Sequence, residues 1–153
     1  MSFLEVRNVT MRFPIKGERA EFVALDNVSL FVEPGQFVTL IGHSGCGKST
    51  LLNLIAGLTV PSSGEIHCDG KRVKGPGPDR AVVFQSHALL PWKTCLENVM
   101  LGVRQVFEKT LSAAELQQKA ENALKMVHLE HAMSKYPAEI SGGMKQRVGI
   151  ARA

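Results

Sequence analysis

Hydrophobic and polar residues alternate from the start of the chain. Leu4 and Val6 oppose Glu5 and Arg7, the period of a half-buried strand over Leu4 to Val9. A polar loop begins at Phe13-Pro14 and runs through Lys16-Gly17-Glu18-Arg19. A second alternating stretch, Ala24 to Val32, puts Val28, Leu30 and Val32 on one face. Pro34-Gly35 turns the chain into an unbroken apolar run, Phe37-Val38-Thr39-Leu40-Ile41, which predicts a buried strand. Thr50 to Ala56 predicts a helix, broken by Pro61-Ser62-Ser63-Gly64. Glu65–Cys68 and Lys71–Val73 then flank Asp69-Gly70, a two-residue hairpin signal. Pro76-Gly77-Pro78 marks a loop, and Ala81-Val82-Val83-Phe84 predicts a short strand ending at Gln85.

From there the texture turns helical. Thr94-Cys95-Leu96-Glu97 fits a capping box opening a helix to about Leu101, and Ser112-Ala113-Ala114-Glu115 fits another. Behind the second, Leu116, Ala120, Ala123, Leu124 and Val127 recur at helical spacing, a core stripe. Pro137 ends a short turn, and Ser141 caps a last helix, Gly142 to Arg152. That helix is still in mid-pattern at Ala153, which suggests a fragment.

Composition narrows the class. At 153 residues with 44% hydrophobic residues, the chain suits one domain with a real core. The net charge of +4 is mild. Lys71, Arg72, Lys74 and Arg80 lie close in sequence, but no aromatics interleave with them, so they read as a solvated loop and not as a nucleic-acid surface. Three cysteines, Cys46, Cys68 and Cys95, form no C-x-x-C pair, which suits a reducing compartment and excludes a disulfide framework. The histidines lack ligand spacing. Early Glu5 and Arg7 exclude a signal peptide. No apolar run approaches the ~20 residues of a membrane span, so a membrane connection would come through a partner.

The candidate chemistry lies between the Phe37–Ile41 run and the first helix. Gly42-His43-Ser44-Gly45-Cys46-Gly47-Lys48-Ser49 fits the phosphate-loop pattern G-x-x-x-x-G-K-[ST] in a strand-turn-helix context. Glycines let backbone amides close round an anion, and a helix N-terminus offers unpaired N–H groups. Lys48 should reach the β- and γ-phosphates of ATP, and the Ser49 hydroxyl should ligate Mg²⁺. Residues Gly42 to Thr50 form the expected nucleotide site. Cys46 reads as a small filler and not as a nucleophile.

Three segments together resemble the ATP-binding subunit of an ABC transporter: this loop, Val82-Val83-Phe84-Gln85 as a Q-loop, and Ile140-Ser141-Gly142-Gly143-Met144-Lys145-Gln146-Arg147 as the signature. Ser141 is a good N-cap, and Gly142 and Gly143 leave a second helix N-terminus open to phosphate. The resemblance implies an α/β phosphate-loop NTPase core with an antiparallel β subdomain and an inserted helical subdomain, truncated before Walker B. Its parts would be residues 1–85, the β subdomain and phosphate-loop core; 86–140, the helical subdomain; and 141–153, the start of the signature helix.

The resemblance also implies roles. Lys48 and Gln85 would be catalytic, with Ser49 and Gln85 on Mg²⁺. Ser141, Gly142, Gly143 and Met144 would contact the ATP held by a second ATPase subunit, identical or homologous, in a head-to-tail dimer. Met144 stands where the family usually has Gln. An aromatic residue would stack on adenine, Phe13 first and Phe22 second, unless either is plain core. Leu89, Leu90 and Trp92 read either as a docking patch for transmembrane permease subunits or as residues buried under the helical subdomain.

The wording from Gly75 to Trp92 resembles importers of small anions: nitrate, nitrite or cyanate, with taurine and alkanesulfonates close by. Gly42–Cys46 and Thr94-Cys95-Leu96-Glu97-Asn98-Val99 look most like the nitrate branch. The full-length protein would be an ATP-hydrolysing translocase, peripheral on the cytoplasmic side of a bacterial inner membrane. A periplasmic or lipid-anchored substrate-binding protein would act indirectly. The Walker B Asp, the catalytic Glu and the switch His belong beyond Ala153. A non-hydrolysing nucleotide-binding module is the rival reading. A chromosome or DNA-repair ATPase would need long coiled coils, and the wording from Gly75 to Trp92 disfavours an exporter.

Overall fold

A computed structural model describes residues 2–17 and 20–153, so Glu18 and Arg19 of the polar loop lie outside the described residues. The chain divides into two compact units, Met1–Arg80 and Ala81–Ala153.

The first unit holds an antiparallel sheet. Strand β1 spans Leu4–Pro14, β2 Glu21–Val32, β3 Ser63–Cys68 and β4 Lys71–Arg72, in the order β2-β1-β3-β4. The first two run longer than their alternation predicts. Register shifts between Val6 and Met11 interrupt the period of two, and Asn8 and Asn27 adopt left-handed backbone. The two asparagines bond each other, Asn8 Nδ2 donating to Asn27 Oδ1 at 3.0 Å. Asp69-Gly70 makes the expected hairpin, with Cys68 opposite Lys71. Helix α1, Lys48–Ile55, lays Leu51 and Leu54 against Val6, Val9, Met11, Leu25 and Ile66.

Phe37–Ile41 departs from expectation. It has no regular secondary structure and is not a ladder strand, with Phe37 92% and Ile41 91% exposed; only Leu40 joins the core. An apolar strand is stabilised by neighbours on both edges. Among the described residues none pairs with this run.

In the second unit, helices α2 (Cys95–Phe107), α3 (Ala113–Met126) and α4 (Gly142–Arg152) surround a core of Cys95, Val99, Ala120, Leu124, Leu129 and Val148. Both capping boxes form. Thr94 Oγ1 accepts from the Glu97 N–H at 3.2 Å, and the Thr94 N–H donates to Glu97 Oε2 at 2.7 Å. Ser112 and Glu115 repeat the arrangement. Burial pushes the Cys95 thiol up, so it packs as a small apolar group. Helix α2 runs past the expected stop near Leu101, and Gly102 within it lies in a tight contact: a Cβ there would meet Arg152 O at 2.3 Å.

Ala81–Phe84 is likewise not a strand, and Val83 and Phe84 are exposed. Arg80 is not a solvated cation either. It donates to Gly75 O at 2.8 Å and pairs with Asp79, with its side chain only 14% exposed.

Candidate functional site

The turn between Ile41 and α1 is shaped by two glycines. Gly45 has φ +81° and Gly47 φ +93°, and Gly47 caps α1 without any side-chain bond. At Gly47 sterics add to backbone conformation. A Cβ would lie 2.6 Å from Ala24 O and 2.7 Å from Leu25 Cδ2 of β2. The first bond of the α1 ladder is Leu51 N–H to Gly47 O at 2.9 Å. The N–H groups of Lys48, Ser49 and Thr50 precede it, and no acceptor for them is present among the described residues.

Lys48 closes the turn. Its Nζ donates to Gly42 O and His43 O, both at 2.7 Å, and lies 3.3 Å from Cys46 Sγ. Among the described residues no carboxylate pairs with it. The ammonium is therefore held by neutral groups beside a row of free amides. That combination suits an anion carrying several oxygens. Cys46 fills the turn as expected, since a Cβ on Gly42 would sit 2.7 Å from its sulfur. The His43 ring folds onto Ser44 O at 2.8 Å, and Ser49 is exposed at the start of the helix.

Phe13 and Phe22 form one cross-strand pair of β1 and β2. They are 38% and 55% exposed, so neither is plain core. An exposed aromatic pair offers a face on which a flat ring can stack.

The remaining expected residues lie in the second unit. Gln85 occupies an exposed turn, closed by His87 N–H to Phe84 O at 3.2 Å, and not a strand end. Ser141 caps α4, accepting from the Met144 N–H at 3.3 Å. Gly142 and Gly143 are exposed, and a Cβ on either would meet nothing within 4 Å. Packing inside the chain therefore does not require these glycines; they leave the N-terminus of α4 bare. Met144 is partly buried against the helical core, unlike the bare glycines before it. The Leu89–Trp92 alternatives divide: Leu89 packs on the core, whereas Trp92 is 69% exposed.

Two structural residues escaped the sequence reading. Asn98 is fully buried; it accepts from the Leu90 N–H at 2.8 Å and donates to the carbonyls of Leu90, Lys93 and Thr94. Its position beside Cys95 and Val99 on the apolar face of a helix is the signal that could have found it. Arg152 donates to Ala88 O at 2.7 Å and His87 O at 3.3 Å. Burial lowers the pKa of its guanidinium.

A family profile described as ABC transporter matches residues 25–153. The nitrate transport protein NasD of Klebsiella oxytoca is 55% identical over 150 residues, 98% of this chain and 56% of that protein. The bicarbonate transport ATP-binding protein CmpC of Synechocystis sp. is 50% identical over 99% of this chain and 22% of its own length. The chain thus spans about half, or less, of these relatives. Among solved structures, the ATP-binding cassette MJ0796 in a dimeric post-hydrolysis state with ADP and Pi matches with a TM-score of 0.85 and 36% identity, covering 97% of this chain and 68% of that one. The α/β fold is thus that of solved ATP-binding cassettes, and the chain belongs to the ABC transporter family.

Proposed function

We propose that this chain is part of the ATP-binding, energy-coupling subunit of an importer for a small anion, nitrate first. The observation that carries the reading is the Lys48 ammonium on neutral carbonyls beside the free amides of Lys48, Ser49 and Thr50. Those groups fit the β- and γ-phosphates of ATP, while the exposed Phe13–Phe22 pair fits adenine. The Ser49 hydroxyl fits Mg²⁺ as a neutral oxygen ligand alongside phosphate oxygens. Among the described residues no group of three or more His, Cys, Asp or Glu gathers as a metal cage, so the phosphates would complete the coordination. Bound Mg²⁺ would neutralise charge developing between the phosphates.

The bare start of α4 fits a phosphate presented by a second ATPase subunit, which supports a head-to-tail dimer with shared ATP sites. The MJ0796 cassette is dimeric in its solved structure. Transmembrane permease subunits would carry the substrate and meet the exposed Trp92 region, with a substrate-binding protein delivering it from outside. Among the described residues no helix is long and apolar enough to cross a membrane. A peripheral, cytoplasmic-side position on a bacterial inner membrane follows from that partnership.

Nitrate as substrate is supported by the wording of the loop and by the 55% identity to a nitrate transport protein. The bicarbonate relative at 50% identity favours bicarbonate as the second reading. Uptake by the full-length subunit reconstituted with its permease separates them. Nitrate uptake that bicarbonate does not compete supports the first reading; the reverse supports the second. ATP-independent uptake of both contradicts the energy-coupling role.

A further inference from the structure

The exposed turn after Gln85 leads into two consecutive left-handed residues, His87 at φ +62° and Ala88 at φ +48°. Neither is glycine, and Ala88 has no polar side chain with which to bond its own backbone. Such a pair persists only where its surroundings hold it. The His87 and Ala88 N–H groups bond locally to Phe84 O and Ser86 O, and the hold from elsewhere in the fold is one guanidinium. Arg152 Nη1 donates to Ala88 O at 2.7 Å and Nη2 to His87 O at 3.3 Å, so one fork spans both strained carbonyls. Among the described residues Arg152 has no carboxylate partner.

Arg152 lies at one end of α4, and Ser141-Gly142-Gly143 lies at the other, about 16 Å away along the helix axis. The backbone of Arg152 is fixed as well, since its carbonyl packs where a Cβ of Gly102 would be. Beyond Ala88, Asn98 pins Leu90 and the carbonyls flanking Trp92. One rigid helix therefore joins a bare phosphate-binding end to the strained start of the segment that carries Trp92.

Resting on the proposed function, we infer that Arg152 is the positioning residue that couples the start of α4 to the Gln85–Trp92 segment. When α4 is drawn toward a partner's nucleotide, the guanidinium carries His87 and Ala88 with it. When the fork disengages, the left-handed pair relaxes. That pair is the element with two arrangements that energetic coupling between sites needs.

The test uses the full-length subunit, alone and assembled with its permease in vesicles supplied with nitrate. Arg152→Lys keeps the charge but loses the two-pronged fork. The expected result is unchanged ATPase activity of the isolated subunit with uptake reduced about tenfold, within the usual range of coupling between sites. Adding Ala88→Gly removes the left-handed penalty without restoring the fork. The double variant should regain melting temperature and still fail to couple. Uptake that returns together with melting temperature would assign Arg152 a merely structural role, as would wild-type uptake by Arg152→Lys alone. Lys48→Ala serves as the separate control: uptake surviving that change overturns the energy-coupling reading itself, whatever Arg152 does.

Discussion

The ammonium nitrogen of Lys48 lies 2.7 Å from the carbonyl oxygen of Gly42, six residues earlier in the chain. The glycine-rich turn is thus wrapped on its own lysine, with Gly45 and Gly47 supplying the left-handed backbone that lets it close. An incoming polyphosphate would exchange neutral carbonyls for charged oxygens around that nitrogen. Hydrogen bonds to charged groups are the stronger kind.

Gly45 and Gly47 separate conformational strain from steric conflict. Both have positive φ, but only at Gly47 would a Cβ strike a backbone carbonyl, that of Ala24. Gly45→Ala should cost about 1 kcal/mol of stability, and Gly47→Ala at least about 2 kcal/mol because backbone must shift as well. Urea unfolding of the two variants side by side checks the order; equal losses would show that the Ala24 contact yields freely.

Asn98 uses its whole amide inside the core: its oxygen accepts one bond, and its two N–H hydrogens are shared among three carbonyls. Asn98→Ala strips a buried N–H and several carbonyls of their partner, which costs about 2–3 kcal/mol. The Leu90 amide should then exchange hydrogen faster than it does in wild type, while the amides within α2 keep their protection. Hydrogen exchange read by mass spectrometry checks this, and unchanged protection at Leu90 would mean that water replaces the amide without loss.

The two capping-box glutamates make acid sensitivity predictable in sign. Bonds from the Thr94 backbone and side chain hold Glu97 below the usual carboxylate range. The Ser112 side chain and then its backbone do the same for Glu115. A carboxyl depressed in the folded state contributes stability above its unfolded pKa, about 4.3, and loses it as pH falls through the folded value. Wild type should therefore melt above a Glu97→Gln, Glu115→Gln double variant at pH 7, and the two should converge as pH drops below about 4. Melting curves across that range check it; a gap that persists in acid would mean that the contribution is not electrostatic.

What could be read from the sequence was what depends on near neighbours. Thr94 with Glu97, Ser112 with Glu115, Ser141 with Met144, and the Asp69-Gly70 hairpin each close within a few residues, and all form. Phe37–Ile41 and Ala81–Phe84 did not become strands, because a strand is defined by a ladder partner that no local pattern supplies. The close approach of the Arg152 carbonyl to Gly102 comes from a residue fifty positions away, which no local pattern shows. The Arg152 fork joins residues more than sixty positions apart, and periodicity carries no trace of it. Among the candidate site residues, the shape of the Gly42–Thr50 turn was legible for the same local reason. Phe13 and Phe22 were legible as candidates, but their pairing across β1 and β2 depends on a register that shifts three times between Val6 and Arg12.

The most direct measurement is calorimetric titration of the full-length protein with Mg·ATP, wild type against Lys48→Ala. Lys48 bonds no carboxylate and buttresses only its own turn, so its loss should leave the fold intact. The account predicts clear binding by wild type and an affinity lower by about tenfold to a hundredfold in the variant, as expected for losing bonds to a charged group. Equal affinity in both proteins, or no binding by wild type, would contradict it.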